Sequence, residues 1–398
     1  MARRPTPALV SEVAPREEHY ATCSPWQTLP YDAQITRKTE ALAKAFAADA
    51  GQSPTVAGFH AAPETFGYRT KMVFSFMDEG EQGLALAFHG RGGRSEMVEL
   101  PDGCVLGSAA TNAAALGIAD QLWGLGVEAD SLKTLVIREG VRTQCVVAAL
   151  YVKDPNFPAE ALNLAELSGL TVIYSRPNTS DSVTTTVLRE WGELGMTERV
   201  HGMTLSYPFD GFFQNNLPVF EQALTDLAEA LSPVDQLMEL YAGVGTIGLH
   251  VRDRAARILG VELDQGGTAA AEENAIALGV EHYETLTMPA QGVQREQLMK
   301  CDALIVDPPR GGLAPKLVHR IADAGPPQLL YLSCNPETQA RDFRQLRHAY
   351  APVSLRGYDF FPHTPHIESL LVLRRTAAHR TVEHGPRPRA KRRPAKQR

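Results

Sequence analysis

Four short apolar runs in the second half of the chain each end on glycines, an acid or a thiol, and this recurrence constrains the fold more than any other feature. The first, Leu237 to Leu240, enters Tyr241-Ala242-Gly243-Val244-Gly245-Thr246 and then an amphipathic stretch from Ile247 to Ala255. Gly243 and Gly245 lack the Cβ atoms that would keep a ligand off the backbone. The second run, Ala256 to Val261, ends at Glu262, about twenty residues beyond the glycines. An acid at that tip either accepts the two hydroxyls of a ribose or serves as a carboxylate at a helix N-terminus. The third, Ala303 to Val306, leads into Asp307-Pro308-Pro309-Arg310-Gly311-Gly312. Two prolines remove two amide donors and hold the loop extended. Arg310 either clamps a phosphate or pairs with an acidic neighbour. The fourth, Leu329 to Leu332, reaches Cys334 and an Asn335-Pro336 turn. That thiol is either a nucleophile or a small buried hydrophobe. Glu368 precedes one more apolar run and would act as a base at the same mouth. Strand ends repeated in this order predict an α/β fold with one sheet and ligands across its carboxyl edge.

Taken together, FFQNN at 212–216, ELYAGVGTIGLH at 239–250, the Glu262 strand tip, DPPRGG at 307–312, LSCNPET at 332–338 and FPHTPHIE at 361–368 carry a family resemblance. The chain resembles the SAM-dependent RNA uracil-5-methyltransferases, which make 5-methyluridine in ribosomal and transfer RNA. The likeness spans roughly residues 20–373 and is densest from 205 onward. It implies a C-terminal Rossmann-like class I SAM-dependent methyltransferase domain with a mixed α+β central domain. It implies Cys334 as the nucleophile on carbon 6 of uracil and Glu368 as the base that removes the carbon-5 proton. Gln214, Tyr241, Gly243, Glu262 and Asp307 would line the site of S-adenosyl-L-methionine (SAM). Phe212 would pack beside a flipped uracil, with Arg69, Lys71 and Arg310 on the RNA. Strand alternation puts Arg69 and Lys71 on one face, where solvated surface charges are the competing reading. Phe-Phe-Gln, and a start without an additional β-barrel module, point to 23S ribosomal RNA and the compact subgroup that methylates it. Transfer RNA is the alternative substrate; a cytosine-5-methyltransferase and a non-catalytic RNA-binding protein are other readings.

Many members of that family hold a [4Fe-4S] cluster on four cysteines. Here only Cys23 and Cys104 match the pattern, so no cluster is expected. His363, His366 and Glu368 lie on a proline-interrupted segment, poor spacing for zinc. The five cysteines are scattered, and there is neither an apolar run long enough to span a membrane nor a signal-peptide pattern. A cytoplasmic protein without membrane contact or obligate protein partner is expected.

A net charge of −7 is unusual for a nucleic-acid binder, but its distribution is uneven. From Arg374 onward, ten Lys or Arg stand against Glu383. Four regions are expected: an N-terminal segment over 1–60, a central and RNA-facing α+β domain over 61–202, the methyltransferase domain over 203–373, and a disordered basic tail over 374–398 that gathers phosphates. Within the central region, Glu139-Gly140 predicts a hairpin turn.

Overall fold

The computed structural model describes residues 16–47, 53–78, 83–92, 96–162, 165–177 and 184–376. Nearly all of the expected basic tail lies outside them. The chain opens with α1 (Glu17–Ala21), α2 (Tyr31–Phe46) and β1 (Val56–His60). The central region follows as β2 (Lys71–Asp78), β3 (Leu84–His89), β4 (Met97–Glu99), α3 (Ala109–Gly124), β5 (Leu132–Gly140), β6 (Cys145–Val152), β7 (Gly169–Tyr174) and β8 (Thr186–Gly192). Its seven strands lie in the order β4-β3-β2-β5-β6-β7-β8, antiparallel except for the β6–β7 pair. Helix α3, capped by the Ser108 hydroxyl, packs on this sheet and shares its core with Cys23 and Cys104.

A hairpin of β9 (Met196–Val200) and β10 (Met203–Tyr207) comes next, so the boundary expected at 202 falls inside its turn. The remaining elements alternate: α4 (Leu217–Ala230), β11 (Val234–Leu240), α5 (Thr246–His250), β12 (Ala255–Glu262), α6 (Gln265–Ala277), β13 (Tyr283–Thr287), α7 (Arg295–Met299), β14 (Ala303–Val306), α8 (Pro315–Ala324), β15 (Gln328–Ser333), α9 (Pro336–Leu346), β16 (Tyr350–Tyr358) and β17 (Glu368–Arg375). They form an eight-stranded sheet in the order β1-β16-β17-β15-β14-β11-β12-β13, in which only β17 runs against its neighbours. This is the class I methyltransferase arrangement, with β1 added at one edge.

Strands of such a sheet are covered on both faces and therefore read as unbroken apolar runs. Alternation still sorts them: Leu329 and Tyr331 of β15 face the core under α2, α8 and α9, whereas Leu330 and Leu332 face the core under α4, α5 and α6. Helix α2 buries Gln34, Lys38, Leu42 and Phe46, one residue every four, along a single stripe. Of the N-terminal segment expected over 1–60, α2 and β1, the latter beside β16, belong to this layer.

Two local expectations shift. The stretch after Gly245 is helical only to His250, since a 3-10 turn (Arg252–Arg254) interrupts it before β12. The central hairpin turns at 141–144 rather than at Glu139-Gly140. Gly140 ends β5 pressed on its neighbours, where a Cβ would stand 2.1 Å from the Thr197 carbonyl oxygen.

Candidate active site

The order of the large sheet reverses at β11, with β12 on one side and β14 on the other. Ligands of open α/β sheets bind outside the strand carboxyl ends at such a switch point. Here β11 ends just before Tyr241, β12 at Glu262, β14 just before Asp307 and β15 just before Cys334. Strand β17 runs the other way, so its first residue, Glu368, reaches the same edge. Ser333 pairs with Ser369 across β15 and β17, and extending that register places Cys334 opposite Glu368.

Local chemistry fixes the thiol. Cys334 follows the last residue of β15, and α9 begins two residues later with Pro336 at its first position and the Asn335 side chain accepting the Glu337 N–H. The same Asn335 donates its Nδ2 to the Arg310 carbonyl at 3.2 Å, and the Thr338 hydroxyl donates to that carbonyl at 3.2 Å. The Asp-Pro-Pro-Arg loop is therefore bound to the turn that presents the thiol. A cleft of about 560 Å³ opens there, lined by Cys334, Arg310, His366, Glu337 and the α2 residue Lys44.

Electrostatics at this edge are dominated by burial. Glu368 is 3 % exposed, and its Oε1 has no hydrogen-bond partner. Burial and the nearby Asp307 push its carboxyl well up, while Arg310 pulls it down; burial also raises Asp307. The Cys334 thiol is pushed up to about 11 by burial and by the two carboxylates, again opposed by Arg310. His366 is held down at about 4 by burial and by Arg310, Arg69 and Lys38, so it is neutral at neutral pH.

A second cleft, of about 290 Å³, is lined by Asp210, Phe212, Gly243, Val244, Glu262 and Gly267 among others. Gly243 has φ +54° with open space where a Cβ would stand, and Tyr241 takes φ +63°, a strained value for a residue with a side chain. Glu262 Oε2 accepts the Gly243 N–H at 2.8 Å, and Oε1 accepts the N–H groups of Leu263 and Asp264. Three backbone donors hold this carboxylate rigid, with acceptor capacity left for ribose hydroxyls. Open backbone and an anchored acid suit the nucleoside of SAM. Phe212 is 67 % exposed at the rim, and Gln214 is half-buried on the loop between β10 and α4.

Of the residues expected from sequence, Cys334 and Arg310 line one cleft, with Glu368 and Asp307 buried close enough for their charges to act on the thiol, while Gly243, Glu262 and Phe212 line the other. Arg69 reaches the first through its charge on His366. Lys71 stands apart, opposite Arg138 on β5. Cys23 and Cys104 lie in one core, where contact with Cys104 and His19 pulls the Cys23 thiol down and burial drives Cys104 up. Among the described residues, no group of three or more His, Cys, Asp or Glu is arranged to hold a metal ion. None of the helices is long and apolar enough to cross a membrane, again among the described residues.

Several residues of the site escaped the sequence reading. Lys38 is 0 % exposed and donates to Asp359 Oδ1 at 2.6 Å and to the Phe361 carbonyl at 2.9 Å. Tyr31 donates to Asp359 Oδ2 at 2.8 Å. Gln34 accepts the His363 N–H at 2.9 Å and meets its Nδ1 at 3.0 Å, holding a residue with φ +62°. Helix α2 thereby pins the segment that delivers Glu368. Lysine and glutamine on the buried stripe of an amphipathic helix were the available signal. Glu239, inside β11, accepts the Gly248 N–H and the Tyr283 hydroxyl and is raised to about 8 by burial, bracing the glycine turn from below.

The comparisons bear on this geometry directly. Residues 193–376 match the family model tRNA (Uracil-5-)-methyltransferase. The chain is 29 % identical over 389 residues to an uncharacterized RNA methyltransferase of Nitratidesulfovibrio vulgaris, covering 89 % of this chain and 81 % of that one. It is 27 % identical over 366 residues to the tRNA (uracil(54)-C(5))-methyltransferase of Pyrococcus abyssi, covering 89 % and 85 %. The crystal structure of the Pyrococcus abyssi tRNA (uracil-54, C5)-methyltransferase in complex with S-adenosyl-L-homocysteine superimposes with a TM-score of 0.74 at 25 % identity, over 87 % of this chain and 84 % of that one. These matches overturn the expected placement in the 23S ribosomal RNA subgroup. The chain thus matches the family model over residues 193–376 and is similar over most of its length to SAM-dependent RNA (uracil-5-)-methyltransferases.

Proposed function

We propose that this enzyme methylates carbon 5 of a uridine in transfer RNA, at the position 54 named for its Pyrococcus relatives, with Cys334 and Glu368 as the reacting side chains. The observation that carries the chemistry is the β15–β17 register, which sets a thiol opposite a buried carboxylate at the edge that also carries the donor cleft. The substrate rests on the similarity to the tRNA (uracil(54)-C(5))-methyltransferases of Pyrococcus abyssi and Pyrococcus horikoshii.

Carbon 5 of uracil is a weak nucleophile. Cys334, as thiolate, bonds to carbon 6, and the electron pair of the 5,6 double bond moves into an enolate that makes carbon 5 nucleophilic. When bound, SAM supplies an electrophilic methyl group at that carbon. Glu368 then accepts the carbon-5 proton, the 5,6 double bond re-forms, and Cys334 departs as thiolate. Gly243 and Glu262 hold the nucleoside of the donor, and Asp307, Tyr241 and Gln214 close its pocket. Phe212, exposed at the rim, stacks on the flipped base, which must leave its neighbours to reach the thiol. Arg310 favours the thiolate against two carboxylates.

Methyl transfer from labelled SAM to unmodified tRNA and 23S ribosomal RNA transcripts, followed by mapping of the product, tests this reading. Incorporation into tRNA at a single uridine is expected. Incorporation only into the ribosomal transcript would reject the tRNA assignment.

A further inference from the structure

Two histidines stand in the segment that delivers Glu368, and the reaction described above uses neither. His363 is 5 % exposed and locked onto α2: its backbone N–H is taken by Gln34, whose amide also meets its Nδ1 at 3.0 Å. His366 is placed differently. It is half-buried on the wall of the thiol cleft, together with Cys334, Arg310 and Glu337. Its backbone N–H donates to the Thr364 hydroxyl at 3.3 Å, and its ring meets Phe361 edge-on at 5.8 Å. Those contacts orient the side chain, yet neither ring nitrogen is bonded to a described residue.

The other polar groups of that cleft are engaged or offer one kind of bond. Asn335 uses its amide on the Arg310 carbonyl and its oxygen on the Glu337 N–H. Arg310 and Lys44 only donate, and a carboxylate at Glu337 only accepts. The neutral imidazole of His366 keeps one N–H to give. His366 is two residues from Glu368, so their Cα atoms are at most about 7 Å apart, and Glu368 stands opposite Cys334. A uracil with carbon 6 on the thiol and carbon 5 toward Glu368 bears oxygen 4 on the next ring atom, within the span of these side chains.

That oxygen is where the charge goes. As Cys334 Sγ bonds to carbon 6, the 5,6 electron pair forms a 4,5 double bond, and the carbonyl pair moves onto oxygen 4. Arg310 favours the thiolate and so stabilises the start of this step. A group that speeds the step must meet the charge where it arrives. A neutral N–H does this without favouring the thiolate. It also yields its proton far less readily than an imidazolium, so the enolate persists until carbon 5 takes the methyl group.

We infer that His366 is a further catalytic residue, which donates a ring N–H to oxygen 4 of the target uracil as the enolate forms. No proton leaves the ring. The same oxygen carries the charge again when Glu368 removes the carbon-5 proton, so one donor serves both halves of the reaction. This role rests on the reading that a uracil occupies the thiol cleft.

The wild type, His366→Phe, His366→Ala, His366→Asn and His366→Gln are compared for kcat and KM on unmodified tRNA and 23S ribosomal RNA transcripts. SAM affinity and thermal melting serve as controls of folding. His366→Phe and His366→Ala, which lack the donor, should lower kcat about a hundredfold to a thousandfold while KM for RNA stays within about threefold. At least one of the two amide variants, which keep an N–H, should recover about tenfold. Covalent trapping on 5-fluorouridine-substituted RNA should slow by a similar factor in the donor-free variants. A loss confined to KM would overturn the role, as would an unchanged kcat. Folded amide variants no faster than His366→Ala would make His366 structural. A wild type that methylates only the ribosomal transcript would defeat the tRNA reading, and the histidine comparison is then read on that RNA. A wild type that methylates neither transcript would defeat both.

Discussion

The two sheets of this protein place their reactive and charged residues at different positions on their strands. In the eight-stranded sheet the strand bodies are buried on both faces, and the residues proposed for the reaction, Tyr241, Glu262, Asp307, Cys334 and Glu368, sit at the ends. In the seven-stranded sheet the strands are mostly antiparallel, and Lys71 and Arg138 project from within the β2–β5 pair rather than beyond it. A parallel sheet leaves only its carboxyl edge for a ligand, so its ligand is small and held end-on. The seven-stranded sheet is packed by α3 on one side and keeps Arg138, Ala149, Tyr151 and Ile173 buried on the other. The carboxyl edge of the first sheet suits a nucleoside and a base.

If that division holds, changes at the strand ends should stop chemistry without loosening RNA. The largest effect is expected for Cys334→Ala, which should lower turnover by at least about a thousandfold with SAM and RNA affinities intact. Residual activity within tenfold of wild type would mean that the thiol is only packing. Glu368→Gln should slow turnover by about a hundredfold to ten thousandfold and accumulate a covalent protein–RNA adduct on denaturing gels. Wild-type turnover without adduct would make Glu368 structural.

Lys38→Ala removes one partner of a fully buried ion pair and should destabilise the fold by about 3–5 kcal/mol in denaturant titration. A loss below 1 kcal/mol would show that α2 is not fastened through Asp359. Glu262→Ala should cost about 1–3 kcal/mol of SAM affinity by calorimetry while RNA binding stays unchanged. Parallel loss of RNA binding would blur the two-sheet division.

The smallest effect is a slope. The free thiol sits at about 11, so below that pH its reactive fraction grows up to tenfold per unit. The rate at low RNA concentration should therefore climb between about pH 7 and 9, and more shallowly in Arg310→Lys if the position of that charge matters. A flat profile would mean that a step other than thiol attack limits the rate.

Much of the donor sheet was legible because each strand is one apolar run closed by one reactive residue. The pairing of Cys334 with Glu368 was not readable from spacing, since periodicity tells which face a residue takes and not which strand lies beside it. The resemblance supplied that pair before the register did. Lys38 and Asp359 are 321 positions apart, and a lone lysine on an amphipathic stripe carries no mark of its partner. Arg138 is buried although, inside LVIREG, it looks like the polar end of a strand. Its open nitrogens appear only once Tyr207 and Lys71 are placed around it. The hairpin turn was misplaced because Gly140 is small for the sake of Thr197 above it, a packing reason that imitates turn chemistry.

Helix α2 gives the enzyme an order in time. The base is delivered by the last strand of the large sheet, yet the residues that fasten its segment, Tyr31, Gln34 and Lys38, are among the first to be synthesised. A chain that has reached Cys334 carries the thiol but neither Asp359 nor Glu368, and β17 has yet to enter the sheet between β15 and β16. Completion of β17 brings Glu368 and Asp359 to a helix made long before, so the thiol and the proposed base come together only when the fold closes.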